Sequence, residues 1–186
     1  MARQVRQRER TVDADQTKVI HKETRIKTEM RKQKGFSLIE LLIVVAIILI
    51  IAAIAIPNLL RARIAANESS AASGVRTINT AEISYFSSYQ TYSANLVSLG
   101  PGGPTVACPA TPTSGTACLI DGVLAAGAKS GYNYTAAGTA TGYNAQANPQ
   151  SAQTGVRSFC SIEDAVVRYV ASGGITTCAA TYSPLQ

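Results

Sequence analysis

Between Leu41 and Ile56 the chain carries sixteen consecutive residues without one polar side chain. Taken from Phe36 to Leu60 the run is 25 residues long, interrupted only by Ser37, Glu40, Pro57 and Asn58. As an α-helix rising ~1.5 Å per residue it would extend about 37 Å, more than the roughly 30 Å of a bilayer core. A helix that is apolar round its whole circumference has no polar face to offer water. The segment therefore predicts a membrane-spanning helix.

Glu40 is the residue in this segment that needs a reason, because a carboxylate in hydrocarbon costs about 2.5–3.5 kcal/mol. One reading leaves it solvated at the lipid interface. The other supplies a partner: cutting the chain after Gly35 turns Phe36, one helical turn away, into a free amine. That amine can neutralise Glu40 of its own chain, or Glu40 of a staggered neighbour. A buried charge that is satisfied only between chains favours the assembled state.

Lys34-Gly35-Phe36-Ser37-Leu38-Ile39-Glu40, followed in register by the apolar helix, Pro57 and Asn58-Leu59-Leu60-Arg61-Ala62-Arg63, resembles the processing signature of type IV prepilins and of the related type II secretion pseudopilins. The resemblance implies a fold, a maturation route and partners. A prepilin peptidase would cleave between Gly35 and Phe36, and the new Phe36 amine would be N-methylated. The helix would wait in the inner membrane with the leader cytoplasmic and the head periplasmic. Assembly on an inner-membrane platform, driven by an ATP-dependent motor, would then bundle these helices into a homopolymeric surface filament, with Glu40 and Pro57 as assembly residues. Adhesion and twitching motility are the functions that a major pilin implies. The alternative within the resemblance is a pseudopilin, working as a short periplasmic piston. Many members carry a glycine in the helix before the proline. Residues 41–56 contain none, so the local unwinding common in the family is not implied before Pro57.

A different class of function is a soluble binding domain released by signal peptidase near Ala55, since a basic flank, an apolar run and Ala53-Ile54-Ala55 also fit a secretory signal. The register of Gly35, Phe36 and Glu40 and the length of the run oppose it. Charge is distributed to match the membrane reading. Residues 1–35 hold eleven of the 17 Lys and Arg and five of the 11 acids, for a net +6, whereas residues 36–186 hold six of each. A positive flank stays cytoplasmic and sends the far end of the helix outward. The neutral remainder does not indicate a nucleic-acid partner. The leader is long for the family and too polar to bury a core. Starting at Met30 would give a six-residue leader ending at Gly35, which makes residues 1–29 an expected start-site artefact. His21, the sole histidine, lies there and is expected to be a solvated residue, not a ligand.

Beyond Pro57 the helix is expected to kink without ending. Ile64, Ala71, Ile78, Tyr85 and Tyr92 recur every seven residues with Val75 and Tyr89 between them, an amphipathic stripe expected over residues 61–92. In this reading Glu68 and Glu82 break the stripe, Ile83 and Phe86 widen it, and Gly74 and Asn79 lie off it. The aromatic group Tyr85, Phe86, Tyr89 and Tyr92 reads as core where helix meets sheet; the bolder alternative is a path for electrons.

Residues 93–186 form the expected head. A loop at Gly100-Pro101-Gly102-Gly103-Pro104 leads to a short helix candidate at 119–128. Four strand candidates follow, at 131–135, 142–147, 156–160 and 165–171. The fold class is α+β, a long N-terminal helix packed on a small antiparallel sheet. All four cysteines lie in the head, on the side sent outward, where an oxidising envelope permits disulfides. Three pairings are open to them. Cys108–Cys118 and Cys160–Cys178 are favoured because each closes a local loop, and the second resembles the C-terminal disulfide loop of pilins. Zinc would need another ligand pattern, since there is no CxxC and no nearby histidine.

No catalytic constellation, cofactor motif or metal site emerges. The head's serines and threonines have no base to activate them, and its glycine-rich loop lacks the lysine and the strand-turn-helix context of a phosphate loop. Asp121, Glu163 and Asp164 would have to meet in space to resemble a calcium pocket. Asn67-Glu68-Ser69 and Asn133-Tyr134-Thr135 match glycosylation sequons, a pattern that chance alone supplies.

Overall fold

The computed structural model describes residues 35–185. The leader, with His21 and Met30, lies outside the described residues. By internal contacts the chain divides into one unit ending at Leu49 and a second beginning at Ile50.

Helix α1 (Leu38–Tyr89) is 52 residues long and continues through Pro57. The Ser37 carbonyl accepts from the amides of Glu40 (3.1 Å) and Leu41 (3.2 Å) and so opens the helix. In the unit ending at Leu49, every described side chain is exposed. At the other end, Gln90 adopts φ 56°, a left-handed conformation that terminates helices. Ser84, Ser87 and Ser88 donate their hydroxyls to carbonyls four residues back, a local competition typical of serine in a helix.

The second unit is α+β. A 3₁₀ turn (Leu96–Leu99) and a one-turn helix α2 (Gly122–Ala125) precede six strands: β1 (Ala128–Lys129), β2 (Tyr132–Gly138), β3 (Tyr143–Pro149), β4 (Ser158–Ile162), β5 (Arg168–Val170) and β6 (Ser183–Pro184). They pair in chain order, each antiparallel to the next. The middle of the sheet follows the expected strands. Two short edge strands extend it from four to six, and two-residue strands carry too little alternation to be read from sequence. The expected helix at 119–128 shortens to one turn, because Asp121 caps it by accepting from the Leu124 amide at 2.9 Å and Gly127, at φ 81°, ends it.

Tyr132, Tyr134 and Ala136 alternate inward along β2 and join Tyr143, Ala145, Ala147 and Phe159 against Ala71, Val75, Ile78 and Tyr85 of α1. Strand β4 is buried on both faces because the C-terminal segment covers the second one: Ile175 and Cys178 pack with Cys160, Ile162 and Val170. Asn148 locks that cover in place, donating to the Ile175 carbonyl (2.8 Å) and accepting from its amide (2.7 Å).

The stripe on α1 differs from its sequence reading. Glu68 and Glu82 are members of it, not interruptions: Ile64, Glu68, Ala71, Val75, Ile78, Glu82 and Tyr85 follow one 3–4 spacing and both glutamates are buried. Glu68 Oε1 accepts from the backbone amides of Val156 and Arg157, each at 3.1 Å, while its Oε2 receives the Arg157 guanidinium at 2.7 Å. Glu82 accepts from the Ser93 amide (2.9 Å) and hydroxyl (2.6 Å). Asn79, expected off the stripe, is buried too; it donates to the Ala165 carbonyl at 3.0 Å and accepts from the Tyr143 hydroxyl at 3.1 Å. Burial pushes the Tyr143 phenol up to about 12, which keeps it a donor. Gly74 is part of the contact as well, since a Cβ there would stand 2.6 Å from the Tyr134 ring. Ile83 does not widen the stripe; it is 50 % exposed. Polarity misled the reading, because a glutamate that finds several donors is a better buried residue than an isoleucine aimed away from the sheet.

The two glutamates respond to pH in opposite directions. Burial raises the Glu68 carboxyl, but the amides of Arg157 and Val156 and the Arg157 side chain outweigh it and leave it below its ordinary 4.5. Its stabilising effect is complete above 4.5 and is lost as pH falls through the lowered value. Burial raises the Glu82 carboxyl further than Ser93 lowers it, leaving it above 4.5. The folded chain therefore holds that proton more tightly than the unfolded chain, and stability declines as pH rises past 4.5. Glu82→Gln should flatten this decline in urea midpoints of the detergent-solubilised protein taken from acid to neutral pH. In the same assay Glu68→Ala should cost about 1–3 kcal/mol, because it leaves the part-buried amides of Val156 and Arg157 without their acceptor. Arg157→Ala should cost only about 1 kcal/mol, since the amides keep their acceptor and the guanidinium is half in water.

A candidate assembly site on the N-terminal helix

The residues expected to direct processing and assembly lie at the start of α1. Gly35 and Phe36 precede the helix and are exposed; nothing would obstruct a Cβ at Gly35 within 4 Å. Glu40 is the acidic residue of the helix's first turn. Free amide hydrogens make that end of a helix electropositive, so a carboxylate is favoured there before any partner arrives. From Phe36 to Leu60 the large apolar side chains remain exposed, among them Leu38, Leu42, Ile48, Ile51 and Leu59. The most apolar 18-residue window of α1 has mean hydropathy 3.3 and none of it is buried. By length and composition this helix can cross a membrane. Pro57 lies inside it, where it withholds one amide hydrogen from the ladder.

The cysteines of the second unit are joined as Cys108–Cys118, with Cα atoms 5.9 Å apart, and Cys160–Cys178, 5.6 Å apart. The first bond closes an exposed loop held by α1 and by the 3₁₀ turn: the Tyr85 hydroxyl donates to the Ser114 carbonyl at 2.8 Å, and the Ala117 amide to the Ser98 carbonyl at 2.9 Å. The second pins the C-terminal cover to β4. Tyr85, Phe86, Tyr89 and Tyr92 pack at the junction of helix and sheet; Tyr85 and Tyr89 have ring centres 4.6 Å apart, Phe86 and Tyr92 4.7 Å, and Tyr92 and Tyr143 5.0 Å.

Asp121, Glu163 and Asp164 do not converge on a common point. Asp121 pairs with Lys129 at 3.1 Å, Asp164 bonds Arg168, and Glu163 lies beside Gly142. Among the described residues no group of three His, Cys, Asp or Glu is placed to hold a metal ion. Of the two sequons, Asn67 donates to the Thr154 carbonyl at 2.9 Å and Asn133 accepts from Gln150 at 3.1 Å. Sequence reading missed the buried members of the helix–sheet contact, Glu68, Asn79 and Glu82. Their 3–4 spacing with Ala71, Val75 and Ile78 was the signal for the two glutamates.

Comparison with known proteins agrees with the motif. The prokaryotic N-terminal methylation motif matches residues 30–56. Over 72 residues, 38% of this chain and 33% of the relative, the sequence is 44% identical to the type IV major pilin protein PilA of Myxococcus xanthus. Over 40 residues, 22% of this chain and 30% of the relative, it is 68% identical to the type IV wide pilus major component PilA4 of Thermus thermophilus. The chain thus spans about a third of the length of the curated relatives it matches. Through its N-terminal part, the chain is thus similar to type IV pilin precursors, in the methylation motif and in these shared stretches.

Proposed function

We propose that the chain is a structural subunit of a type IV pilus, a major pilin that polymerises through α1. Cleavage between Gly35 and Phe36 makes Phe36 the new N-terminus, whose amine is N-methylated. The observation that carries the reading is the exposed apolar surface running from Phe36 to Leu60 with a single carboxylate, Glu40, in its first turns. Each large aliphatic side chain taken out of water is worth about 1.5–3 kcal/mol, so this surface requires a cover. The bilayer provides it before assembly, and other copies of α1 provide it in the filament. The basic leader puts the head on the outer side of the membrane, where the two disulfides are chemically at home.

In the filament Glu40 pairs with the Phe36 amine of a neighbouring subunit. An unpaired carboxylate among apolar helices is costly, so the pair sets the register at which subunits join. The prepilin peptidase and the inner-membrane assembly platform are the partners this route requires, and the product is a surface fibre serving adhesion or twitching motility. No catalytic role is assigned. Both curated relatives are named as pilus components, which favours a pilus over a secretion pseudopilus.

Two outcomes are expected. Mass spectrometry of filaments sheared from intact cells should find this protein abundant and beginning at N-methylated Phe36; the same N-terminus confined to membranes would indicate a pseudopilin, and a start near Ile56 would mean signal-peptidase release. Glu40→Ala should be cleaved normally yet yield less sheared filament by roughly tenfold or more, the factor produced by ~1.4 kcal/mol per added subunit. Wild-type filament yield from that variant would remove charge pairing from the mechanism.

A further inference from the structure

We propose that Arg61 and Arg63 form a phosphate-binding clamp at the C-terminal end of the apolar segment, and that the phosphates are those of membrane phospholipids holding the stored subunit at a fixed depth. The inference rests on the membrane-stored state proposed above.

Three of the six cations from residue 36 onward are taken: Lys129 by Asp121, Arg157 by Glu68 and Arg168 by Asp164. The other three, Arg61, Arg63 and Arg76, all lie on α1, all are exposed, and none has an ion pair among the described residues. No acid occurs in the sequence between Glu40 and Glu68, and Glu68 is already held by Arg157. Among the described residues Arg61 and Arg63 therefore lack an anion.

Their position and direction select the partner. Twenty residues separate Glu40 from Arg61; as helix they rise about 30 Å, the thickness of the hydrocarbon core. When that segment lies in a bilayer, Arg61 and Arg63 emerge at the level of the headgroups. At about 100° per residue, two positions apart puts the guanidinium groups on opposite sides of the helix, about 200° from each other. A neighbouring protein helix covers one side and would satisfy one arginine. Phospholipid headgroups surround the helix and satisfy both. The guanidinium fork grips phosphate through two parallel hydrogen bonds, and the aliphatic stems can lie along the exposed Leu59 and Leu60. Arg76, thirteen residues further and about 20 Å beyond, lies out of reach of that layer. Subunits entering a filament would have to release these phosphates, so the clamp opposes extraction until neighbouring helices replace the lipid.

The chain has no tryptophan, so Ile54→Trp introduces a single fluorophore about 10 Å along the helix from Arg61. The full protein carrying it would be reconstituted into phosphatidylethanolamine–phosphatidylglycerol vesicles whose acyl chains are brominated either near the headgroup or near the chain end. Adding Arg61→Ala with Arg63→Ala should let the segment sink, moving the tryptophan toward the bilayer centre by about one helical turn, ~5 Å. Each single alanine variant should give part of that shift, and Arg76→Ala none; circular dichroism checks that helix content is kept. An unchanged depth in the double variant would overturn the clamp while leaving membrane storage intact, and filament loss at unchanged depth would reassign both arginines to a contact between subunits. Absence of quenching by either lipid in the parent would remove membrane storage, and the clamp with it.

Discussion

An apolar helix surface that the described residues leave uncovered is the constraint on which the rest of this protein depends. From Phe36 to Leu60 the large apolar side chains are exposed, and that much hydrocarbon cannot stay in water at tolerable free energy. In the proposed route the surface is occupied first by lipid and then by other copies of itself. A monomer soluble along its whole length is not an option. Charge is confined to the boundaries of this segment, with Glu40 in the first turn and Arg61 and Arg63 immediately after it, because charges cost least where an anion, a cation or water can reach them.

The second unit solves a different problem, that of fastening a small sheet to a helix with little hydrophobic mass. The contact is built largely from small residues, Ala71, Ala72, Val75 and Ala81 on α1 opposite Ala136, Ala145 and Ala147 of the sheet, with Tyr132, Tyr134, Tyr143 and Phe159 as the bulky fill. Small residues let the backbones approach, at Gly74 to the point that no Cβ fits beneath Tyr134. Polar anchors then fix the register: Glu68 to the start of β4, Asn79 to Tyr143 and the turn at Ala165, and Glu82 to the turn at Ser93. Apolar contact alone tolerates sliding, whereas a carboxylate facing two particular amides does not. The disulfides act further out, Cys108–Cys118 on the exposed loop and Cys160–Cys178 on the C-terminal cover of the sheet.

Glu40, Glu68 and Glu82 show that one residue type does three jobs on one helix. Glu40 is exposed in the isolated chain, and its proposed partner belongs to another subunit. Glu68 has its partners in the same fold and stays ionised, because two amides and a guanidinium converge on it. Glu82 is buried with only Ser93 as donor, and burial moves its carboxyl upward. Environment separates them, through the number of donors each finds and whether a cation is among them.

The long helix, its apolar N-terminal segment, the Gly35–Phe36–Glu40 register and the alternation that places Tyr132 and Tyr134 on one face of β2 were all legible in the chain, because each is set by residues close together in sequence. The N-terminal motif is a local pattern of residues, so it needs no fold to be recognised. The two-residue edge strands, the burial on both faces of β4, and the positions of Glu68, Asn79 and Glu82 inside the contact were not. Strand β1 is a two-residue partner of the strand that follows it; the others depend on a group between about ten and ninety residues away, such as Ser93 for Glu82 and the Val156 amide for Glu68. A polar residue on an apolar stripe is an interruption or an anchor according to whether distant donors arrive at it, and only the folded chain brings them there.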